Sequence, residues 1–468
     1  MDLQTFAQYS LNLRLQLDNI PGVLGNLASA IGQAGGNIFA IEGFVAKGPT
    51  LEREMVVNCS STDHMDEMAK VVAEVDGVRL LEHYDRTFRM HEGGKIEVLP
   101  LCPVGDADDL SMAYSPGVAR ICRAIHDDPS AADTHTIRKN TVAIVSDGTA
   151  VLGLGDIGPK AAMPVMEGKA LLFKEFGGVD AFPICLDVET PDELIETVVR
   201  LAPTFGGVNL EDIKAPGAFE IEAELKRQLD IPIFHDDQHG TAVVTLAGLR
   251  NALKVVDKDI TEVSIVMSGL GAAGVAVGKM LNQAGAGQII GADRNGAVYS
   301  GREALTSGKQ WFADNTNPDK IQGTLKEVLR GADVFIGLSG PDLLDAEDIK
   351  TMADGPIIFA MANPDPEIMP EKVQGIASVV ATGRSDYPNQ INNVLAFPGI
   401  FRGALDTMAS DITGGMNVAA ADAIAASVTD DQLSADFIMP SVFDKSVPLR
   451  VADAVAHAAI DEGVSRQR

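Results

Sequence analysis

Phe234-His235-Asp236-Asp237-Gln238-His239-Gly240-Thr241-Ala242 is the stretch on which the reading of the fold turns. A mostly apolar run, Leu229 to Phe234, delivers two adjacent carboxylates and then a glycine. An alanine- and valine-rich segment from Thr241 to Val255 follows and reads as a long helix. Open α/β sheets place polar groups in this way at the carboxyl ends of their strands, where they bind ligands. Upstream, a second acidic pair, Glu211-Asp212, follows another largely uncharged run, Phe205 to Leu210. One acidic pair is equally well explained as a solvated turn. Two pairs at strand-to-loop junctions make an oxygen-rich pocket suited to Mg²⁺ or Mn²⁺.

Downstream of that helix, Thr261 to Ser268 reads as a strand and runs into Gly269-Leu270-Gly271-Ala272-Ala273-Gly274. Helix Val275 to Gln283 and strand Gln288 to Gly291 complete the unit, which ends near Asp293. Strand, glycines, helix, strand and terminal acid form a dinucleotide fingerprint. Gly269, Gly271 and Gly274, with Ala272 and Ala273, are therefore the expected pyrophosphate cradle at a helix N-terminus. Asp293 suits the ribose 2′-hydroxyl of NAD, whereas Arg294 beside it suits the 2′-phosphate of NADP. NAD is the expected cofactor, with NADP as the alternative. Strands at Val334 to Leu338 and Ile357 to Ala360 extend a doubly wound sheet.

At 468 residues the chain exceeds what one core fills, so several domains are expected. A net charge of −29 argues against nucleic acid as partner and means that an anionic substrate needs a local cation. Cys59, Cys102, Cys122 and Cys185 are widely spaced with no C-x-x-C, as in reduced cytoplasmic proteins. The N-terminus lacks the basic and apolar regions of a signal peptide, and no apolar run is long enough to span a membrane. A cytoplasmic location is expected.

Leu11, Leu13, Leu15 and Leu17 alternate with polar residues as in a half-buried strand. A turn at Asp18 to Gly22 follows, then a helix from Val23 to Ala34 closed by Gly35-Gly36. Strands at Asn37 to Phe44 and Arg53 to Cys59, a helix at Met65 to Val75 and a strand at Val78 to Thr87 complete a ferredoxin-like βαββαβ order. The turn-helix-Gly35-Gly36-Asn37-Ile38 pattern resembles an ACT domain. That resemblance implies a small-molecule effector site in the first loop, or a dimerisation module. Met90 to Gly94 is the expected linker, and Ser465 to Arg468 an expected frayed tail.

Between these regions lie AYSPGVA around Tyr114, DGTAVLGLGDIG from Asp147, PVMEGKALLFK around Lys169, NLEDI around Glu211 and FHDDQHGTA. A tyrosine before Ser-Pro-Gly, or a lysine in an apolar helix, is commonly packing or snorkelling when met alone. In this order, from Lys95 to Leu449, the motifs resemble the malic enzyme family in its shorter prokaryotic form. The resemblance implies three metal-binding carboxylates, Glu211, Asp212 and Asp237. It implies Lys169 as general base, Tyr114 as general acid and Asp236 as the acid that orients the lysine. Asn363 and Asn393 are implied to hold substrate and Asn392 the cofactor edge. Longer members clamp a substrate carboxylate with an arginine where Thr149-Ala150 stand here; Lys160 or Arg384 is the expected substitute.

The expected fold class is α/β. An ACT-like domain (1–90) precedes an α/β substrate and metal domain (91–240) and a Rossmann-type NAD(P)-binding domain (241–405). C-terminal helices (406–468) pack back on the core. The implied activity is metal-dependent oxidative decarboxylation of L-malate to pyruvate by a homodimer or higher homo-oligomer. Malolactic conversion or oxaloacetate decarboxylation on the same site is an alternative, as is a non-catalytic effector-binding protein.

Overall fold

The computed structural model describes residues 6–151 and 153–466, so Leu152 of the glycine-rich loop lies outside the described residues. The chain divides into two compact units, one ending at Val98 and one beginning at Leu99.

The first unit contains β1 (Phe6–Asp18), α1 (Val23–Gln33), β2 (Asn37–Lys47), β3 (Thr50–Cys59), α2 (Thr62–Ala73), β4 (Val78–Asp85) and α3 (Arg86–His91). Its antiparallel sheet has the order β2-β3-β1-β4, the ferredoxin-like arrangement. Leu11, Leu13, Leu15 and Leu17 share one strand face and pack on Leu27, Ile31, Met65, Met68 and Val72 of the two helices. Ser61 starts α2 three residues before the expected Met65, because its hydroxyl accepts the His64 N–H. The fourth strand stops at Asp85, short of Thr87, for a similar reason. The Asp85 carboxylate accepts the N–H groups of Thr87 and Phe88 and opens α3, which takes up Met90 and His91 of the expected linker.

The second unit begins with α4 (Ala107–Ala113), α5 (Val118–Asp127) and α6 (Ala132–His135). A four-stranded parallel sheet follows, built from β5 (Thr141–Ser146), β6 (Asp180–Cys185), β7 (Gly207–Leu210) and β8 (Ile233–His235). Helices α7 (Pro159–Gly177), α8 (Pro191–Leu201) and α9 (Gly217–Gln228) connect these strands. The order is β6-β5-β7-β8, and every residue of β5, β7 and β8 is buried. That is why their sequences read as continuous apolar runs and not as alternations.

Helix α10 (Thr241–Val255) leads to the second parallel layer. This layer runs β9 (Ser264–Ser268), α11 (Ala272–Gln283), β10 (Gln288–Asp293), β11 (Gly296–Ala297), α12 (Ser307–Asn315) and α13 (Leu325–Val328). It continues with β12 (Val334–Gly337), α14 (Ala346–Ile349), β13 (Ile357–Ala360), α15 (Pro370–Val373) and β14 (Val379–Thr382). The order β11-β10-β9-β12-β13-β14 puts β10 on one side of β9 and β12 on the other. The chain therefore reverses direction across the sheet beside β9, the switch point where such sheets bind nucleotides.

Helices α16 (Phe397–Asp406), α17 (Gly414–Ala425) and α18 (Ser446–Asp461) close the unit. Gly399 and Gly403 let α16 lie against α18: a Cβ at Gly403 would come within 2.4 Å of the Ala452 carbonyl. On its other side, α16 sends Phe397 and Phe401 against Phe173 of α7, with ring centroids 4.7 and 5.2 Å apart. Phe401 also meets Phe234 of β8 at 5.8 Å. The tail is anchored as far as Arg466, whose Nε donates to the Met408 carbonyl, so the expected fraying at Ser465 and Arg466 does not occur. Among the described residues no helix is long and apolar enough to cross a membrane.

Candidate active site

Strands β7 and β8 are parallel neighbours with Leu210 opposite His235. The next residues of each strand are acidic: Glu211-Asp212 on one and Asp236-Asp237 on the other. Register alone therefore gathers four carboxylates at one sheet edge. In an extended chain successive side chains point to opposite faces. Asp212 escapes this by taking a left-handed conformation (φ 55°), which Asp tolerates better than most residues. The Asp237 side leaves the strand directly into the helical turn Asp236–Gly240. As a result, ligand oxygens of Glu211, Asp212 and Asp237 lie within 4.8 Å of one another. The Asp212 N–H donates to Asp237 Oδ2 at 2.9 Å, and the Ala150 N–H ties the loop after β5 to the Asp212 carbonyl.

Lys169 enters this cluster from α7 and is only 8 % exposed. Its ammonium donates to Glu211 Oε1 at 3.0 Å and pairs with Asp236 Oδ2. It also rests 3.9 Å above the Phe397 ring. Burial by itself would lower the lysine pKa, but Asp236 and Glu211 outweigh burial and hold the group charged above the ordinary lysine value. Glu211 is pushed well above the usual carboxylate range, by burial first and then by the charges of Asp237, Asp236 and Asp212, against the pull of Lys169. Asp236 is raised by burial too, although Lys169 opposes it.

An all-oxygen set of mutually repelling carboxylates, Glu211 and Asp212 buried and Asp237 half-buried, fits a hard divalent cation. Asn209, two residues before Glu211 on the same strand face, donates from Nδ2 to Glu211 Oε2 at 2.8 Å and steadies that carboxylate. Sequence reading passed over Asn209 as an ordinary strand residue, although its period-2 spacing from Glu211 was the available signal.

Asn393, implied as a substrate residue, spends its amide nitrogen on Asp236 Oδ2 at 3.0 Å and so belongs to the lysine's support. Asn392 caps the following turn by accepting the Val394 N–H. Asn363 lies at an exposed cis Asn363–Pro364 bond beside Gly383. Three expected participants are not brought to the lysine. The Tyr114 side chain is 70 % exposed, and its hydroxyl has no partner among the described residues. Lys160 is exposed near the start of α7 without an ion pair among the described residues. Arg384 is held by both oxygens of Asp386, at 2.9 and 2.6 Å.

In the six-stranded layer the glycine loop leaves β9 as the fingerprint requires. Gly269 has φ +93°, which favours glycine, and a Cβ at Gly274 would fall 1.9 Å from the Gly269 carbonyl oxygen. A Cβ at Gly271 would meet nothing, so the space over the loop and the start of α11, Ala272-Ala273, is open to a pyrophosphate. Asp293 ends β10; its Oδ1 accepts from Arg302 at 2.7 Å and its Oδ2 from Lys309 at 2.7 Å. Arg294 is exposed. Neither Arg302 nor Lys309 was legible as a partner of Asp293. Glu367, fully buried, accepts the N–H groups of Ser339 and Ala362 and so binds together the loops after β12 and β13. It too went unread, since a lone glutamate after Pro366 carries no pattern.

The sequence of this chain is similar to known proteins over the same regions. Residues 93–226 match the malic enzyme N-terminal domain and residues 238–460 the malic enzyme NAD binding domain. The NAD-dependent malic enzyme of Geobacillus stearothermophilus is 54% identical over 100% of this chain and 98% of its own length. The bifunctional malic/malolactic enzyme of Bacillus subtilis is 56% identical over 80% of this chain and 92% of its own. Among solved structures, the malic enzyme of Pyrococcus horikoshii is 48% identical with a TM-score of 0.77, covering 80% of this chain and 89% of that one. Motif order, paired carboxylates, glycine loop and these likenesses agree: the chain belongs to the malic enzyme family.

Proposed function

We propose that in the oxidative decarboxylation of malate carried out by this enzyme Lys169 takes the proton of the substrate 2-hydroxyl. Its burial among carboxylates is the observation that carries the assignment. Asp236, steadied by Asn393, fixes the direction of the Nζ atom, and the Phe397 ring keeps water from beneath it. Glu211, Asp212 and Asp237 are the residues that would hold Mg²⁺ or Mn²⁺. Such a cation would supply an electrophile that acidifies the malate hydroxyl, and its charge would favour the neutral lysine that a base requires. Tyr114 is proposed to return a proton to the carbon that loses CO₂. Since Tyr114 and the neighbouring Leu101, Leu110 and Met112 are exposed, we propose that a second copy of the chain covers this segment. Sedimentation of the full chain as a monomer would rule that out.

NAD is the proposed cofactor: the glycine loop would hold its pyrophosphate, and its nicotinamide would take the hydride from the carbon that bears the malate hydroxyl. The Asp293 carboxylate at the ribose end of β10, shared with Arg302 and Lys309, and the similarity to the NAD-dependent enzyme of Geobacillus stearothermophilus support NAD over NADP, and higher kcat/KM with NADP⁺ would overturn it. The first loop of the ACT-like unit, Asp18 to Leu24, is proposed to take a small effector of the amino-acid class; a thermal-shift panel of amino acids on the full chain tests it. Lys160 or Arg384 remains the proposed clamp for the second carboxylate, Arg384 only if it leaves Asp386.

The activity test measures reduced nicotinamide and pyruvate formed from L-malate with Mn²⁺. Lys169→Ala is expected to lower kcat by about 10²- to 10⁴-fold, the usual reach of general-base catalysis. A near-normal rate would remove Lys169 from the chemistry. Similarity to the bifunctional malic/malolactic enzyme of Bacillus subtilis favours malolactic conversion as a second reading, and lactate formed without net NADH would identify it.

A further inference from the structure

His235 is the last residue of β8, and its side chain is 0 % exposed. Neither ring nitrogen has a hydrogen-bond partner among the described residues. Leaving such groups unpaired in a core is costly, so an imidazole here needs a reason that packing does not supply. Ile233, two residues earlier on the same strand face, fills the core there with an apolar side chain. The buried carboxylate of α9, Glu222, is already taken by His239 at 2.7 Å and by Lys226. What the His235 ring does face is the metal-site carboxylate two residues on: its Nδ1 lies 3.6 Å from Asp237 Oδ2. That gap is slightly too long for a hydrogen bond. The same Oδ2 already accepts the Asp212 N–H at 2.9 Å.

We propose that His235 is a positioning residue for the divalent cation, donating Nδ1–H to Asp237 Oδ2 when the cation binds. Two donors from the protein then occupy Oδ2, and Oδ1 is the oxygen turned to the ion. The unpaired imidazole is the cost of holding that carboxylate in one rotamer, in the way that groups behind metal ligands commonly set ligand orientation. This inference rests on Glu211, Asp212 and Asp237 being the cation site.

The test is Mn²⁺ binding, followed by the paramagnetic signal of free Mn²⁺, to the full chain and three variants. Asparagine places its amide nitrogen near the position of Nδ1, glutamine nearer that of Nε2, and leucine offers neither. His235→Leu and His235→Gln are expected to weaken Mn²⁺ about 10- to 100-fold, with His235→Asn recovering most of the affinity. In EDTA, His235→Leu is expected to melt no lower than the unaltered chain, because it removes two unpaired buried nitrogens. A leucine variant that binds Mn²⁺ as tightly as the unaltered chain would overturn the proposal. So would equal loss of affinity in the leucine and asparagine variants, which would indicate packing alone. An unaltered chain that takes up no Mn²⁺ would overturn the cation site itself, and this inference with it. The asparagine and glutamine pair keeps the test decisive if leucine disturbs folding.

Discussion

Gly240 is the position in the pocket with least room. A Cβ there would fall 1.9 Å from Asp236 Oδ1 and 2.8 Å from its carboxyl carbon. Gly240→Ala is therefore expected to push Asp236 off Lys169, lowering both activity and stability. Overpacking of this kind costs about 1–3 kcal/mol, readable by urea unfolding, and NADH formation should fall with it. A fully active variant of unchanged stability would mean that the Asp236–Lys169 pair tolerates displacement.

Asp293 sets a pH expectation. Burial would raise its pKa, but hydrogen bonds from Lys309, Arg302 and the Asn295 N–H lower it overall. The folded chain thus binds this proton less readily than the unfolded one, so stability is fully present above the ordinary Asp value near about 4. It is lost as pH falls through the lowered folded value. Melting temperatures of the unaltered chain and Asp293→Asn, compared from neutral to acid pH, should converge as acid removes the pair. A difference that grows on acidification would reverse the sign.

At this scale the sequence was legible where a residue type has few alternatives. Paired acids at strand ends and glycines in a fingerprint are such cases. It was not legible where a role depends on which way a side chain turns. Lys169 reads equally as a snorkelling surface lysine, and only the docking of α7 on α16, with Phe173 against Phe397, shows that it points inward. Asn393 reads as a substrate ligand, because nothing in its neighbourhood reveals that Asp236 already claims its amide.

Among the elements, the parallel pair β7 and β8 does most to build the site, and it was read from the apolar runs that precede both acidic pairs. Strands buried on both faces announce themselves: Ile357–Ala360 runs over the residues expected. Boundaries set by caps were missed, as at Asp85, where one side chain ends a strand and begins a helix. The return of α16 to the first parallel sheet was not legible, since the helices that pack back were expected only from residue 406 and contacts such as Phe401 on Phe234 join segments far apart in sequence. Phe401→Ala is expected to cost about 3–5 kcal/mol, as other large core truncations do. Equilibrium denaturation measures it, and a loss below about 1 kcal/mol would show that the aromatic cluster is dispensable.

For the molecule as a whole, thiol chemistry reports both units at once. Cys102 and Cys122 are exposed, Cys185 is half-buried and Cys59 is buried. Burial pushes the Cys59 thiol up to about 11 and raises Cys185 as well. With a disulfide reagent at pH 8, Cys102 and Cys122 should react fast, Cys185 slowly and Cys59 only after unfolding. Rapid reaction of Cys59 in the native chain would mean that the first unit opens far more readily than its packed core implies. Domain order and the sheet classes were legible at this scale from periodicity and motifs. The effector proposed for the first unit was not, since an open loop can present the same backbone to many small molecules.

The floor and lateral support of Lys169 come from Phe397 and Asn393, more than two hundred residues after the lysine. A ribosome releases chains from the N-terminus, and folding units form in that order. The acidic sheet edge can therefore exist on a nascent chain well before the lysine is seated on its ring. During synthesis the charge cluster forms first and the seat of Lys169, the proposed proton acceptor, is completed last, so an unfinished chain is expected not to act on malate.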